Sequence, residues 1–356
     1  MKDIIKKILG AKNRARIRYV IHQFDYFLCK LCVKSSFFSS FYYFLLSNKF
    51  RREHQAVLTG RLRYRESTIK PRLSSALLRR NIHRLEKGMI MFPRKDVYAE
   101  AYILETVKHY QVCVTENLVN TDEIKWGFDV LSNYFNIVRK DKSSIVRSAF
   151  AIFSKINTVT YRSELKYIPY ERKSIETSGI SYDDFKLLCK QRRSVRWFKE
   201  QQVEKEKIIS AIEVATMAPS ACNRQPFEFI VTTDSQSARD IGSIAMGTVG
   251  FCDNFQALIV IVGDLSAYPH ERDRHVIYID ASLAAMQLML ALETLGLSSC
   301  PINWPDIEPL ERKMSERLGL SIENRPVMLL AVGYAREDGL IPYSQKKEAT
   351  VIFTEI

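Results

Sequence analysis

Three separated segments in the second half of the chain concentrate side chains that hold phosphates and polar rings. The first is Arg192-Arg193-Ser194-Val195-Arg196-Trp197-Phe198, with three arginines in five residues. Guanidinium groups there can make charge-assisted bonds to a phosphate, and the serine hydroxyl can reach a ring edge. Taken alone, the same residues read more readily as an exposed basic helix end. The second is Ala218-Pro219-Ser220-Ala221-Cys222-Asn223-Arg224-Gln225-Pro226-Phe227, in which two prolines bracket a short polar loop. Its Ser, Asn and Gln side chains supply donors and acceptors for hydroxyls and a heterocycle. The third is Lys346-Lys347, two cations late in the chain that can neutralise a phosphate or simply face water.

The order and spacing of these segments carry more than any one of them. Read together as RRSVRWF, PSACNRQP, LETLGLSSCPINW and GYAREDGLIPYSQKK, they resemble the nitroreductase family. The likeness covers nearly all of residues 181–356 and none of the first 180. It implies an α+β fold, a nitroreductase-like α/β/α sandwich with helices around a central mixed sheet. It implies a homodimer with FMN at the interface, each site using both chains. Arg192, Ser194 and Arg196, with Arg193 beside them, would hold phosphate and ring atoms. Pro219, Ser220, Asn223 and Gln225 would line the ribityl chain and ring edge. Pro301, Ile302 and Asn303 would approach the reactive face, and Lys346 or Lys347 the phosphate. The implied reaction is two-electron transfer from NAD(P)H through the flavin to a small-molecule acceptor, with no protein nucleophile required. Many members carry an acidic residue and a glycine where Asn303 and Trp304 stand here, so Trp304 is a candidate to stack on a substrate or close the pocket.

Charge divides the chain differently. Residues 1–95 hold 23 Lys/Arg against 5 Asp/Glu, a net of +18; residues 96–180 balance; residues 181–356 hold 19 against 24, a net of −5, giving +13 in all. The basicity belongs to an N-terminal extension, set here at 1–175 and read as mainly helical. Such a block suits a solvated or partner-docking surface, an anionic lipid face or nucleic acid. No nucleic-acid motif accompanies it. Ile4, Ile5, Ile8, Leu9, Ile17, Val20, Ile21 and Phe24 recur at near-helical spacing, with Lys2, Lys6, Lys7, Lys12, Arg14, Arg16 and Arg18 between them. That pattern fits a helix lying on a membrane surface. The longest apolar run, Phe37 to Leu46, is too short to span a bilayer, so no transmembrane segment is expected. No secretory signal is read at the start, and seven irregularly spaced cysteines point to a reducing, cytoplasmic setting.

The elements follow from periodicity and punctuation. Helices are expected over 1–60, 73–88, 96–118 and 121–140, with a turn in the arginine-rich stretch Gly60 to Pro71 and a linker from Tyr161 to Gly179. The domain of 181–356 opens with the cap Ser181-Tyr182-Asp183-Asp184. Helices follow at 203–218 and 279–297, and strands at 226–234, 257–264, 326–335 and 350–353. The stretch between Asp264 and Ile279 leaves little room for a substrate lid, and the extension is a candidate to supply one.

Other constellations weigh less. Cys29-Lys30-Leu31-Cys32 has no second pair to complete a zinc site, and no metal is expected. His83 and Glu86 share a helix face and can bind a ligand or form a surface ion pair. His270, Glu271, Arg272, Arg274 and His275 are candidates for substrate contacts. The glycines of GSIAMGTVG lack dinucleotide-binding spacing, so NAD(P)H would be a transient visitor. Two readings stand beside the reductase: a non-catalytic flavin-binding accessory protein working through its basic extension, and a non-reductive flavin enzyme.

Overall fold

Strand β2, Ala257–Asp264, is buried along nearly its whole length and sits at the centre of the fold. Its side chains alternate between two cores. Ala257, Ile259 and Ile261 face one, and Leu258, Val260 and Val262 face the other. A strand apolar on both faces must be covered on both. In the computed structural model, which describes residues 11–156 and 165–356, helices do so. On one face lie α9 (Lys205–Ala215) and α11 (Val276–Thr294), and on the other α10 (Ser235–Gly242) and α12 (Glu308–Leu318). Hydrogen-bonded to β2 are β1, Phe227–Thr232, and β4, Asn324–Gly333; β3, Ser298–Asn303, pairs with β4. The order β1-β2-β4-β3 is antiparallel throughout, and the sheet is mixed only at the isolated parallel bridge Ser194↔Ser299. This is the expected α+β sandwich.

The chain forms two units, residues 1–55 and 56–356. The division into units falls after Gln55, within the extension expected at 1–175. The physical reason is that the helices after residue 55 share contacts with the sheet domain. The first unit contains α1 (Ala11–Cys32), α2 (Ser36–Phe41) and a π-helical turn, Tyr42–Leu46. Helix α3, Arg51–Ile69, runs through the stretch expected to turn. Gly60 there lies against the Leu265 backbone, where a Cβ would sit 2.8 Å from it, so the glycine serves a close approach and not a bend. Arg61 Nε donates to the Pro269 carbonyl at 3.3 Å, and Ala56 shares a core with Leu265, Tyr268 and Ile277. The short segment after β2 is thus covered by α3.

Helices α4 (Ala76–Met89), α5 (Ile103–Glu116), α6 (Thr121–Ile137) and α7 (Ser144–Phe153) enclose a separate core around Leu78, Ile82, Tyr110 and Phe135. Ser75, Asn120 and Ser143 cap α4, α6 and α7 by accepting backbone N–H bonds. Beyond them, α8 (Tyr182–Gln191) opens with a capping box between Ser181 and Asp184. The readings that fall on residues 1–10 (Ile4, Ile5, Ile8, Leu9, Lys2, Lys6, Lys7) and on the linker from Tyr161 through residue 164 lie outside the described residues.

Two further corrections concern strands. The expected strand 350–353 is a helical turn, α13, Ala349–Ile352, with its residues exposed. A strand needs a neighbour for its backbone groups, and the single chain gives it none. Residues 298–303 form the edge strand β3, although SSCPIN has little strand propensity. Among the described residues, one stretch, Glu271–Thr294, is long and apolar enough to cross a membrane, with mean hydropathy 1.5. It contains α11, whose inner side packs in the sheet core.

Candidate functional site

Ser194 is placed by the bridge to Ser299, with Val195 N–H donating to the Ser299 carbonyl at 3.1 Å. The arginine motif therefore lies along β3, which carries Pro301, Ile302 and Asn303. Arg193 Nη2 donates to the carbonyls of Tyr343 (2.6 Å) and Pro342 (3.2 Å). This ties down the C-terminal segment that bears the exposed Lys346 and Lys347. Arg196 lies over the Phe251 ring, 5.6 Å from its centroid. Arg192 keeps a buried Nε with no hydrogen-bond partner among the described residues, as does the Ser299 hydroxyl. Buried polar atoms are seldom left so, and a ligand that accepts from Arg192 would satisfy it. Burial pushes the Cys300 thiol up, against a smaller opposing pull from Arg196, so no activated thiolate is present here.

The second loop is held from the opposite direction. Asp280, buried on α11, accepts from Ser220 Oγ at 2.8 Å and from Ala221 N–H at 2.9 Å. Ser220 Oγ in turn accepts from Gln225 N–H at 2.7 Å. Cys222, Asn223 and Gln225 have positive φ (54°, 51° and 50°), a conformation that costs non-glycine residues about 1–3 kcal/mol each and must be held by neighbours. Arg79 of α4 is one such neighbour. Its Nε donates to the Asn223 carbonyl at 2.7 Å, its Nη2 to Gln225 Oε1 at 2.9 Å, and its Nη1 to Glu123 Oε2 at 3.1 Å.

These contacts sort the expected site residues. Gln225 helps to shape the loop, since its Nε2 donates to the Thr216 carbonyl at 2.7 Å, which leaves the amide one further N–H. The Asn223 side chain remains available beside Pro219 and Ser220. Ile302 points into the core, leaving only its backbone for the site. Trp304 is a core residue, 7% exposed, whose Nε1 donates to buried Glu311 at 2.7 Å. It therefore neither stacks on a substrate nor closes a pocket, because its indole is enclosed by β3 and α12. Asn303 is exposed at the strand end. His83 and Glu86 turn towards α6, where Glu86 accepts from Trp126 Nε1 at 2.8 Å. Missed by the sequence reading were Arg79, Glu123 and Asp280. Asp280 had a signal, a carboxylate early in an otherwise apolar stretch of helix; the Arg79–Glu123 pair had none.

The two halves of the expected site stand apart in one chain. The Ser220 loop is fastened to Asp280, whereas the arginine motif follows Gln191, whose Nε2 donates to Glu293 at 3.1 Å. At 1.5 Å per residue along α11, those anchors are about 20 Å apart. Along the exposed side of the same helix run Ile279, Leu283 and Met286, spaced as one stripe. Beside the loop is a cavity of about 630 Å³ where α4 and α6 meet β1, lined by Arg79, Trp126, Tyr167, Asn223, Phe227 and Phe229.

Comparison with known proteins agrees with this arrangement of motifs. The Nitroreductase family profile matches residues 189–250 and 246–334. The "Putative NADH dehydrogenase/NAD(P)H nitroreductase" of Archaeoglobus fulgidus is 31% identical over 152 residues, 41% of this chain and 83% of the relative. "Putative NAD(P)H nitroreductase YdgI" of Bacillus subtilis is 27% identical over 201 residues, 46% of this chain and 94% of the relative. An "Iodotyrosine deiodinase" of Thermotoga neapolitana is 28% identical over 171 residues, 41% of this chain and 86% of the relative. With the arginine-serine motif, helix α9 and the Pro-Ser loop following one another in that order, the chain belongs, through its C-terminal part, to the nitroreductase family.

Proposed function

We propose that the protein is an FMN-dependent NAD(P)H oxidoreductase whose two sites each draw on both chains of a homodimer. The observation that carries this is the separation of about 20 Å along α11 between Asp280, which anchors the Ser220 loop, and Glu293, which anchors the helix end just before the arginine motif, with apolar Leu283 and Met286 exposed between them. A second copy related by a twofold axis perpendicular to α11 and passing through that stripe would run the two helices antiparallel and bring the Ser220–Asn223 loop of one chain to the arginine motif of the other. The residues present fit the cofactor. Arg192 has an unsatisfied buried Nε, Arg196 and the C-terminal lysines add positive charge for a phosphate, and Ser194 and Asn223 offer polar groups for the ring edge. Bound FMN supplies the two-electron chemistry between a nicotinamide donor and an acceptor.

The chain's own residues bind, orient and exclude. Asp280 and Arg79 hold the loop in its left-handed turns, so that Asn223 is presented without reorganisation. Burial beside Pro301 disfavours the Cys300 thiolate, so no role in the reaction is assigned to it. The cavity next to Asn223, walled by Trp126, Tyr167 and Phe229, is the entry for a planar acceptor. The deiodinase relative keeps a halogenated aromatic among the acceptor classes to be screened.

Complementation tests the shared site. Arg192→Ala with Arg196→Ala should lose FMN, and so should Asn223→Ala with Ser220→Ala. Mixing the two variants under subunit exchange should restore binding to one site in each mixed dimer. Restored binding supports the shared site. If both variants lose FMN and mixing restores none, although subunits exchange, each site is built within one chain.

A further inference from the structure

The first unit, residues 1–55, has a surface that water does not suit. None of its residues whose side chains are described is buried. On α1 the side chains of Ile17, Ile21, Phe24 and Leu31 are exposed and fall on one helical face, with Arg16 and Lys30 one position behind the ends of that stripe. After the turn at Ser35, Phe37 is 71% and Phe44 73% exposed, with Phe38 and Phe41 exposed between them and Leu45 just beyond. Ser39 Oγ donates to the Cys32 carbonyl at 2.9 Å, and Tyr42 O–H donates to Asp25, so the two arms are joined to each other through polar groups and not through a core. An apolar surface of this extent marks an interaction site.

Charge selects the occupant. Residues 1–55 hold 12 Lys/Arg and 3 Asp/Glu, a net of +9. The apolar helix Ser36–Leu46 is too short to cross a bilayer. Exposed phenylalanines and leucines spread along the unit, tyrosines among them, and lysines whose stems can lie on apolar surface while the ammonium stays in water match the chemistry of a lipid headgroup boundary. A protein partner would have to present a long acidic and apolar trough, whereas an anionic bilayer offers both properties over any area.

We infer that residues 11–50 form an interfacial anchor that seats the protein on an anionic lipid surface. The basic side chains meet the headgroups, and the aromatic and aliphatic side chains enter the acyl boundary without spanning it. The inference stands independently of the flavin reading.

The test is co-sedimentation of the full chain with phosphatidylcholine vesicles, with and without phosphatidylglycerol, at low and high salt. The expected result is binding about tenfold or more tighter to the anionic vesicles at low salt, weakening as salt rises. Phe37→Ser with Phe44→Ser should lose most of this binding, and Arg16→Gln with Lys30→Gln and Lys34→Gln should fall to the level of the neutral vesicles. All five side chains lie outside any core, so thermal melting should be unchanged in both variants, which separates lost binding from misfolding. The inference is overturned by a chain that stays in the supernatant with both vesicles, or that binds both equally. It is also overturned if Phe37→Ser with Phe44→Ser leaves vesicle binding intact, or if the pair dissolves an oligomer that shows no lipid binding, because a second copy then covers the surface.

Discussion

Replacing Arg79 by alanine should loosen the Ser220–Gln225 loop, the proposed flavin-binding segment, from a distance. The side chain is 16% exposed and its partner Glu123 4% exposed, so water screens their interaction poorly. Orphaning a buried charge costs about 3–5 kcal/mol. Glu123 keeps two other donors, Ser74 Oγ at 2.7 Å and Ser75 N–H at 2.8 Å, which lowers that cost. The bonds to Asn223 and Gln225 add roughly 1 kcal/mol each. The total is about 3 kcal/mol, a fall in Tm of about 4–5 °C for a chain of this length. The loop, with Cys222, Asn223 and Gln225 in left-handed conformations, would then relax, and FMN affinity should fall by about tenfold or more, equal to roughly 1.4 kcal/mol. Thermal melting and FMN titration followed by fluorescence read the two effects separately. Arg79→Lys, which keeps the charge and loses the fork, should lie between alanine and the parent. A double-mutant cycle with Gln225→Ala should show coupling of about 0.5–3 kcal/mol. An Arg79→Ala protein with unchanged melting and unchanged FMN affinity would refute the argument that α4 holds the loop.

Further expectations concern other parts of the fold. Leu283→Glu with Met286→Glu should yield monomers in sedimentation velocity and lower FMN occupancy; a dimer that persists would move the interface off α11. Asp280→Ala removes the acceptor of Ser220 Oγ and Ala221 N–H and should destabilise by about 2–3 kcal/mol, with Asp280→Asn milder, as denaturant unfolding would show. His109 is buried, its Nδ1–H bonds the Thr68 carbonyl at 3.1 Å, and its Nε2 lies 2.7 Å from Ser75 Oγ; burial holds its pKa below the usual histidine value. The unfolded chain therefore takes up a proton below about pH 6.5 that the folded chain refuses. Stability should be fully present above that pH and decline as pH falls towards the lower folded value. His109→Gln should flatten that segment of the unfolding profile, and an unaltered profile would assign it to other groups.

The strongest sequence signals were those that burial imposes on a contiguous run. ALIVIVGD reads as a strand covered on both faces because every position before Asp264 is apolar or glycine, and β2 occupies those residues. IDASLAAMQLMLALETLGL reads as a long core helix for the same reason, although α11 begins three residues earlier. Less legible were features whose cause lies elsewhere in the chain. Gly60 looked like a turn signal because its reason, the Leu265 backbone, is some two hundred positions away. SSCPIN showed no strand pattern, since an edge strand fixed by β4 does not need one. TVIF has strand propensity but no neighbour to pair with in one chain. Trp304 resembled a pocket wall until its bond to Glu311 placed it in the core. Arg79 reaches Asn223 across 144 positions, and no local pattern announces such a contact.

The central claim, a flavin-borne oxidoreductase, is tested most directly by one spectrum. The purified chain, reconstituted with FMN and kept anaerobic, should show flavin absorbance that bleaches on addition of NADH or NADPH and returns with an electron acceptor. Absence of bound flavin after reconstitution, or flavin that stays oxidised with both donors, would contradict it.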